Sequence, residues 1–102
     1  MYVIIWEFEV KPERVAEFQS IYAPQGEWSQ LFSRASGYLG TELLHCANRP
    51  TRFLTVDRWI APRDFTDFEA QFREPYSTLD ALCESLTLSE RKVGAFLDVD
   101  RQ

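Results

Sequence analysis

Histidine and cysteine are scarce in this 102-residue chain: one histidine, His45, and two cysteines, Cys46 and Cys83. A protein-held metal wants three or four convergent His, Cys or carboxylate ligands, so no metal site is expected. The cysteines lie far apart without a CxxC pairing and read as reduced, small, buried side chains, which makes the cytoplasm the expected compartment. Glycine is sparse too, with four residues, and neither a Walker loop nor a GxGxxG is present to cradle a nucleotide. The GxSxG elbow of a serine hydrolase is missing as well. Basic residues are the minority, eleven Lys and Arg against sixteen Asp and Glu for a formal net charge of −5. That balance argues against nucleic acid as a partner. No apolar run approaches the roughly 18 residues of a membrane span, and no basic stretch precedes the short apolar run after Met1, so neither a membrane partner nor a signal peptide is expected.

What the chain does contain is apolar and aromatic: 45% hydrophobic and 15% aromatic residues. That is the composition of a globular protein, and the length fits one domain over residues 1–102. A chain of this size hides only roughly two-thirds of its unfolded surface, so large aromatics or a partner subunit must make up the deficit.

β-branched and aromatic content marks Tyr2 to Val10 as a strand. One of its faces carries Tyr2, Ile4, Trp6, Phe8 and Val10, and the other Val3, Ile5, Glu7 and Glu9. Pro12 suits the first turn of a helix, and Val15, Phe18 and Tyr22 recur at helical spacing after it. Pro24 and Gly26 interrupt that pattern. A second piece follows with Trp28, Leu31, Phe32 and Ala35 on one stripe, and Ser36-Gly37 is its expected stop. Strands are expected over Tyr38 to Ala47 and Arg52 to Ile60, joined by a hairpin loop Asn48-Arg49-Pro50-Thr51. A helix opens at Ala61-Pro62-Arg63-Asp64 and buries Phe65, Phe68 and Phe72; Glu74-Pro75 breaks it. Tyr76, Leu79, Leu82, Cys83 and Leu86 continue a helical pattern, and Val93 to Val99 is the last strand, followed by an acidic, polar tail, Asp98 to Gln102.

The order β-α-β-β-α-β predicts an α+β, ferredoxin-like fold: a four-stranded antiparallel sheet with both split helices on one face. The strand pattern adds a second expectation. Val3 and Ile5 oppose Trp6 and Phe8, Leu43 opposes Leu44, and Leu54 and Val56 oppose Phe53, so both faces of the sheet ask for cover. A second copy of the chain, packed sheet to sheet, would supply it.

The same topology houses RNA-binding domains. The third strand here, Arg52-Phe-Leu-Thr-Val-Asp-Arg-Trp59, lacks the glycines of their base-stacking motif and carries an acid inside it. Aromatics with polar edges are the better lead. Trp6, Thr55, Asp57 and Trp59 lie on strands and Tyr22, Trp28 and Tyr76 on helix pieces, the residue types that line a pocket for a flat aromatic ligand. A phenylalanine-rich core with tryptophan as filler uses the same residues. Asp57 and Arg58 point to opposite faces, so Asp57 either pairs across strands or stands as a buried base.

The strand leading into Val10-Lys-Pro-Glu, the Gly37-Tyr-Leu-Gly that enters the second strand, and the third strand closed by Trp59 before Pro62-Arg63-Asp64-Phe65 carry a resemblance. Over Tyr2 to about Val99 the chain resembles the antibiotic biosynthesis monooxygenase domain, a dimeric α/β-barrel family. The resemblance implies a homodimer and a cofactor-independent monooxygenase acting on an aromatic or polyketide-like small molecule, with neither metal nor cofactor. Trp59 matches the family tryptophan. Tyr76 and Phe68 lie near positions where many members carry histidine, and Trp6 stands near the asparagine of the haem-degrading branch, so haem ligation is unsupported. The candidate catalytic residues are Trp59, Tyr76, Asp57 and His45, and the candidate substrate-binding residues are Trp6, Tyr22, Trp28, Phe68 and Phe72. The competing functional reading is a non-catalytic dimeric binding or stress-associated module; isomerase or lyase action has only analogy of fold behind it.

Overall fold

The computed structural model describes residues 1–99. β1 (Tyr2–Val10) leads through a single 3-10 turn (Pro12–Arg14) into α1 (Val15–Tyr22) and α2 (Glu27–Phe32); β2 (Tyr38–Cys46) and β3 (Arg49–Trp59) form a hairpin. α3 (Pro62–Gln71), α4 (Arg73–Cys83) and a 3-10 turn (Glu84–Leu86) return the chain to β4 (Thr87–Leu97). The sheet runs in the order β2-β3-β1-β4 with every neighbour antiparallel. This is the ferredoxin-like α+β fold that the order of elements predicts.

Register assigns the two faces. Tyr2, Ile4, Trp6 and Phe8 of β1 stand opposite Trp59, Asp57, Thr55 and Phe53 of β3, so these eight share the helix-covered face. Phe8 meets Phe18 of α1 edge-on at 5.2 Å, and Phe18 stacks on Tyr22 at 4.1 Å. At the other end Trp59 contacts Phe32 of α2 and Phe65 and Phe68 of α3, at 5.4–5.6 Å between ring centroids. Trp59, Phe18, Phe53 and Phe68 are fully buried. Removing such side chains from water stabilises the fold by roughly 1.5–3 kcal/mol each.

Several boundaries differ from the sequence expectation, each for a physical reason. The expected loop Asn48–Thr51 is mostly strand: β2 stops at Cys46, β3 starts at Arg49, and only Ala47 and Asn48 turn. Pro50 is tolerated beside that turn because the start of a strand can lose a ladder hydrogen bond. α2 ends at Phe32 rather than continuing to Ala35. The later helix breaks at Phe72, not at Glu74-Pro75. Pro75 falls in the first turn of α4, where its missing N–H has no helical acceptor to lose. β4 begins at Thr87 rather than Val93 and ends at Leu97 rather than Val99. Its polar first half still pairs with β1, Arg91 lying opposite Glu7 and binding it at 2.6 Å, as an edge strand allows. Of the predicted tail, Asp98 binds the N-terminal ammonium at 2.7 Å, and residues 100–102 lie outside the described residues.

The opposite face of the sheet carries no helix. Val3, Ile5 and Leu54 are half-buried there, Leu44 and Phe96 are exposed, and Val56 is buried by its neighbours alone. Ion pairs border this apolar strip: Glu7 with both Arg52 and Arg91, Glu9 with Arg49, and Glu42 with Arg58.

Candidate functional site

Between sheet and helices lies a narrow cleft of about 70 Å³. β1 contributes Trp6 and Phe8, β2 Thr41, and β3 Thr55 and Asp57; α1 adds Tyr22, α2 adds Trp28 and Phe32, α4 adds Tyr76 and Asp80, and β4 adds Glu90. Strand alternation explains the first five. Trp6 faces Thr55 in one row across the sheet, and Thr41 faces Asp57 in the next row, both on the helix side.

Asp57 is the chemical centre of that row. It is buried, and no basic side chain pairs with it among the described residues. Thr41 Oγ1 donates to its Oδ1 at 2.6 Å. Burial pushes the carboxyl up to about 6, and the Thr41 bond holds it below where burial alone would put it. Behind Thr41 the chain of hydroxyls continues: Tyr38 OH lies 2.6 Å from Thr41 Oγ1 and 3.1 Å from Ser29 Oγ, and Ser29 Oγ lies 3.3 Å from the Ala23 carbonyl. Thr41 gives its proton to Asp57, and Ser29 gives its own to the Ala23 carbonyl.

Other titratable groups respond to the same burial. The Tyr76 hydroxyl is pushed up to about 12 by burial, and Asp80, Glu69, Glu90 and Asp57 act on it in the same direction. Burial raises Tyr22 well above the ordinary phenol range, with Cys83 adding to the effect. Trp28 is buried in the wall beside Tyr22 and Cys83, and among the described residues its Nε1–H makes no hydrogen bond of good geometry. A buried donor without a partner carries a cost that an incoming acceptor would remove.

Of the residues singled out in the sequence, the cleft brings together Trp6, Tyr22, Trp28, Asp57 and Tyr76. The pairing left open for Asp57 is a cross-strand hydrogen bond to Thr41. Trp59 does not line the cleft: it stands one layer behind, 5.5 Å from Phe32, fully buried, its Nε1–H without a partner among the described residues. Phe68 and Phe72 are also outside the wall. Phe68 backs Tyr76 at 6.1 Å, and Phe72 stacks on Phe68 at 5.5 Å. His45 is exposed near the hairpin turn, its ring 6.2 Å from Phe53 and its Nδ1 3.2 Å from the Cys46 carbonyl, away from the cleft. Sequence reasoning missed Thr41, Asp80 and Glu90, and it assigned Phe8 and Phe32 to the core alone. Alternation along Gly37-Tyr-Leu-Gly-Thr could have flagged Thr41 as facing inward with Leu43. Asp80 and Glu90 come together only through the tertiary fold.

Fold and cleft together define an α+β domain built around one small aromatic chamber with a buried carboxylate. The profile of the antibiotic biosynthesis monooxygenase family matches residues 1–76, and the chain belongs to that family. Among solved structures it is similar to SnoaB, described as a cofactor-independent oxygenase from Streptomyces nogalater, with 19% identity, a TM-score of 0.80, and 98% of this chain and 94% of that one covered. A protein from Nitrosomonas europaea, described as a candidate antibiotic biosynthesis monooxygenase, has 20% identity and a TM-score of 0.74, with 98% and 100% covered. A conserved protein from Methanosarcina mazei has 12% identity and a TM-score of 0.70, with 93% and 89% covered. At these identities the likeness is one of fold. No curated protein matches the sequence significantly. Among the described residues no helix is long and apolar enough to cross a membrane, and no group of three or more His, Cys, Asp or Glu is placed to hold a metal ion.

Proposed function

We propose that this protein is a cofactor-independent monooxygenase that oxidises an aromatic small molecule in the cleft, with Asp57 as the proton acceptor. The observation that carries the reading is the buried Asp57 carboxylate, without a basic partner, in an aromatic chamber and titrating at about 6. A base is most effective when its pKa lies near the working pH. The chemistry suits a methylene activated by flanking aryl and carbonyl groups. Asp57 takes the proton, and the electron-rich carbanion reacts with O₂. One oxygen atom stays as the new carbonyl and the other leaves as water, so CH₂ plus O₂ gives C=O plus H₂O without an outside reductant. Trp28 Nε1–H and the Tyr76 hydroxyl are the donors suited to the developing oxyanion. Trp59, Phe68 and Phe72 act from behind the wall by holding Phe32 and Tyr76 in place.

The working unit in this reading is a homodimer joined across the helix-free face of the sheet. The strip of Val3, Ile5, Leu44, Leu54 and Phe96 supports it, because apolar surface of this kind gains roughly 25 cal/mol per Å² on being covered. Two unpaired cysteines, Cys46 and Cys83, fit a reducing compartment, the cytoplasm.

Oxygen consumption with anthrone- and hydroquinone-type substrates tests the assignment, using protein treated with chelator. The expected result is uptake that survives the chelator and falls by about 100-fold or more in Asp57→Asn. Tight binding of the same aromatics without uptake would leave a binding module and remove the oxygenase.

A further inference from the structure

Charge in the cleft wall is of one sign. Asp57 lies inside, Asp80 of α4 and Glu90 of β4 stand exposed at the mouth, and none of the lining residues is Lys, Arg or His. Five of the chain's arginines are engaged elsewhere. The ion pairs among the described residues use Arg14, Arg49, Arg52, Arg58, Arg91 and the N-terminal ammonium, and none of them reaches Asp57, Asp80 or Glu90. Lys92, which pairs with Trp6 in the β1–β4 register, is exposed and is not part of the wall. The carboxylates repel one another through the cleft: burial first, then Asp80 and Glu84, raise Glu90 above its ordinary value. Yet the acids are too dispersed to form a metal site.

The aromatic surfaces are arranged around the same space. Tyr76 meets Trp28 edge-on, with centroids 5.2 Å apart and planes at 67°, and Tyr22 lies tilted 42° to Trp28 at 6.1 Å. Trp6 closes the strand side. An aromatic-lined volume attracts an organic cation wherever a ring face is presented to it. Dispersed carboxylates suit a diffuse, weakly hydrated charge better than a compact ion. The Trp28 indole, 8% exposed and without a well-aligned acceptor among the described residues, adds a donor for a neighbouring oxygen of the same ligand.

We propose that the cleft recognises a positively charged nitrogen: its ligand is an aromatic molecule bearing a basic amine or quaternary ammonium group, boxed by Trp6, Tyr22, Trp28 and Tyr76 and faced by Asp57, Asp80 and Glu90. This rests on the proposed oxygenation only in using the same chamber. The two readings support each other, since a ligand ammonium would supply the positive charge that the wall lacks when Asp57 withdraws a proton. Anionic ligands such as carboxylates and phosphates are disfavoured by the same field.

The test is a fluorescence titration, with Trp6 and Trp28 as reporters, against three probes of one shape class. Benzyltrimethylammonium carries the charge, neopentylbenzene is its uncharged counterpart, and phenylacetate is the anion. The expected result is that the cation binds about tenfold tighter than the neutral probe, with phenylacetate weakest. Asp80→Asn and Glu90→Gln should each weaken the cation severalfold while leaving neopentylbenzene unchanged. Equal affinity for cation and neutral probe, preference for phenylacetate, or binding of none of the three overturns the proposal. A cation preference without oxygen uptake on any amine-bearing aromatic would remove the oxygenase reading and leave this one standing. Asp57-dependent uptake without a cation preference would do the reverse.

Discussion

Thr41 and Asp57 sit opposite each other across the β2–β3 pair, and the threonine hydroxyl donates to the buried carboxylate at 2.6 Å. This bond is a direct polar anchor for an acid that the fold otherwise surrounds with aromatic rings. Its consequence is a carboxyl whose proton affinity is set by two opposed effects, burial raising it and the hydroxyl lowering it.

Stability should therefore depend on pH through Asp57. Its folded value of about 6 lies above the ordinary 3.8, so between these values the folded state binds more protons than the unfolded one. Stability then falls as pH rises through that window, by about 3 kcal/mol in all. Asp57→Asn keeps the oxygen that accepts from Thr41 and removes the charge. Urea unfolding should show it more stable than the parent at pH 8 by up to about 3 kcal/mol, with the difference gone near pH 4. An equal gain at both pH values would contradict the burial of an ionised Asp57.

Thr41→Val removes the donor at nearly constant volume. The Asp57 carboxyl should move above 6, visible as a shifted carbonyl stretch in pH-dependent infrared difference spectra. The cost should be about 1.5–3 kcal/mol at pH 8, where the carboxylate is ionised, and smaller at pH 4. An unmoved titration would mean that Thr41 does not solvate Asp57.

Gly37 offers a test of a different kind. Its φ is +89°, and a Cβ there would meet the Asp64 Cγ at 2.3 Å. Asp64 accepts from the Ala61 amide at 3.1 Å and so caps α3, while the Gly37 carbonyl accepts from the Ile60 amide at 2.8 Å. Gly37→Ala should cost about 2–3 kcal/mol, strain and a lost cap together. Thermal unfolding reads it, and an unchanged midpoint would show that the β2 entrance adjusts freely.

The helix-free sheet face predicts a concentration-dependent melting temperature, because dissociation and unfolding are linked in a dimer. Leu44→Arg places a charge in the exposed apolar strip and should abolish dimerisation while leaving the chain folded. Sedimentation equilibrium at micromolar concentration measures both proteins. A monomeric parent would remove the dimer.

Much of the fold was legible because periodicity and burial agree. β1 reads correctly from Tyr2 to Val10, since its alternate residues meet helices on one side and an apolar strip on the other. β4 was misread because a strand at the sheet edge needs no apolar pattern: Ser89 to Lys92 pair with β1 by backbone, and Arg91 finds its charge partner 84 residues away in Glu7. Proline misled for a similar reason. Pro75 reads as a breaker, but the break lies three residues earlier and the proline sits harmlessly in a first turn.

The site divides along the same line. Residue type and alternation alone determined that the chain is rich in aromatics and poor in metal-ligating side chains, and that Thr55 and Asp57 share one face of their strand. Tertiary structure alone decided that Asp57 bonds to Thr41 and not to a basic residue, that Trp59 stands behind the wall, that His45 lies outside, and that Asp80 and Glu90 meet at the mouth. Periodicity reports which way a side chain points within its own element. Its neighbours across the cleft depend on how the layers are placed, and that is set by packing between residues distant in sequence.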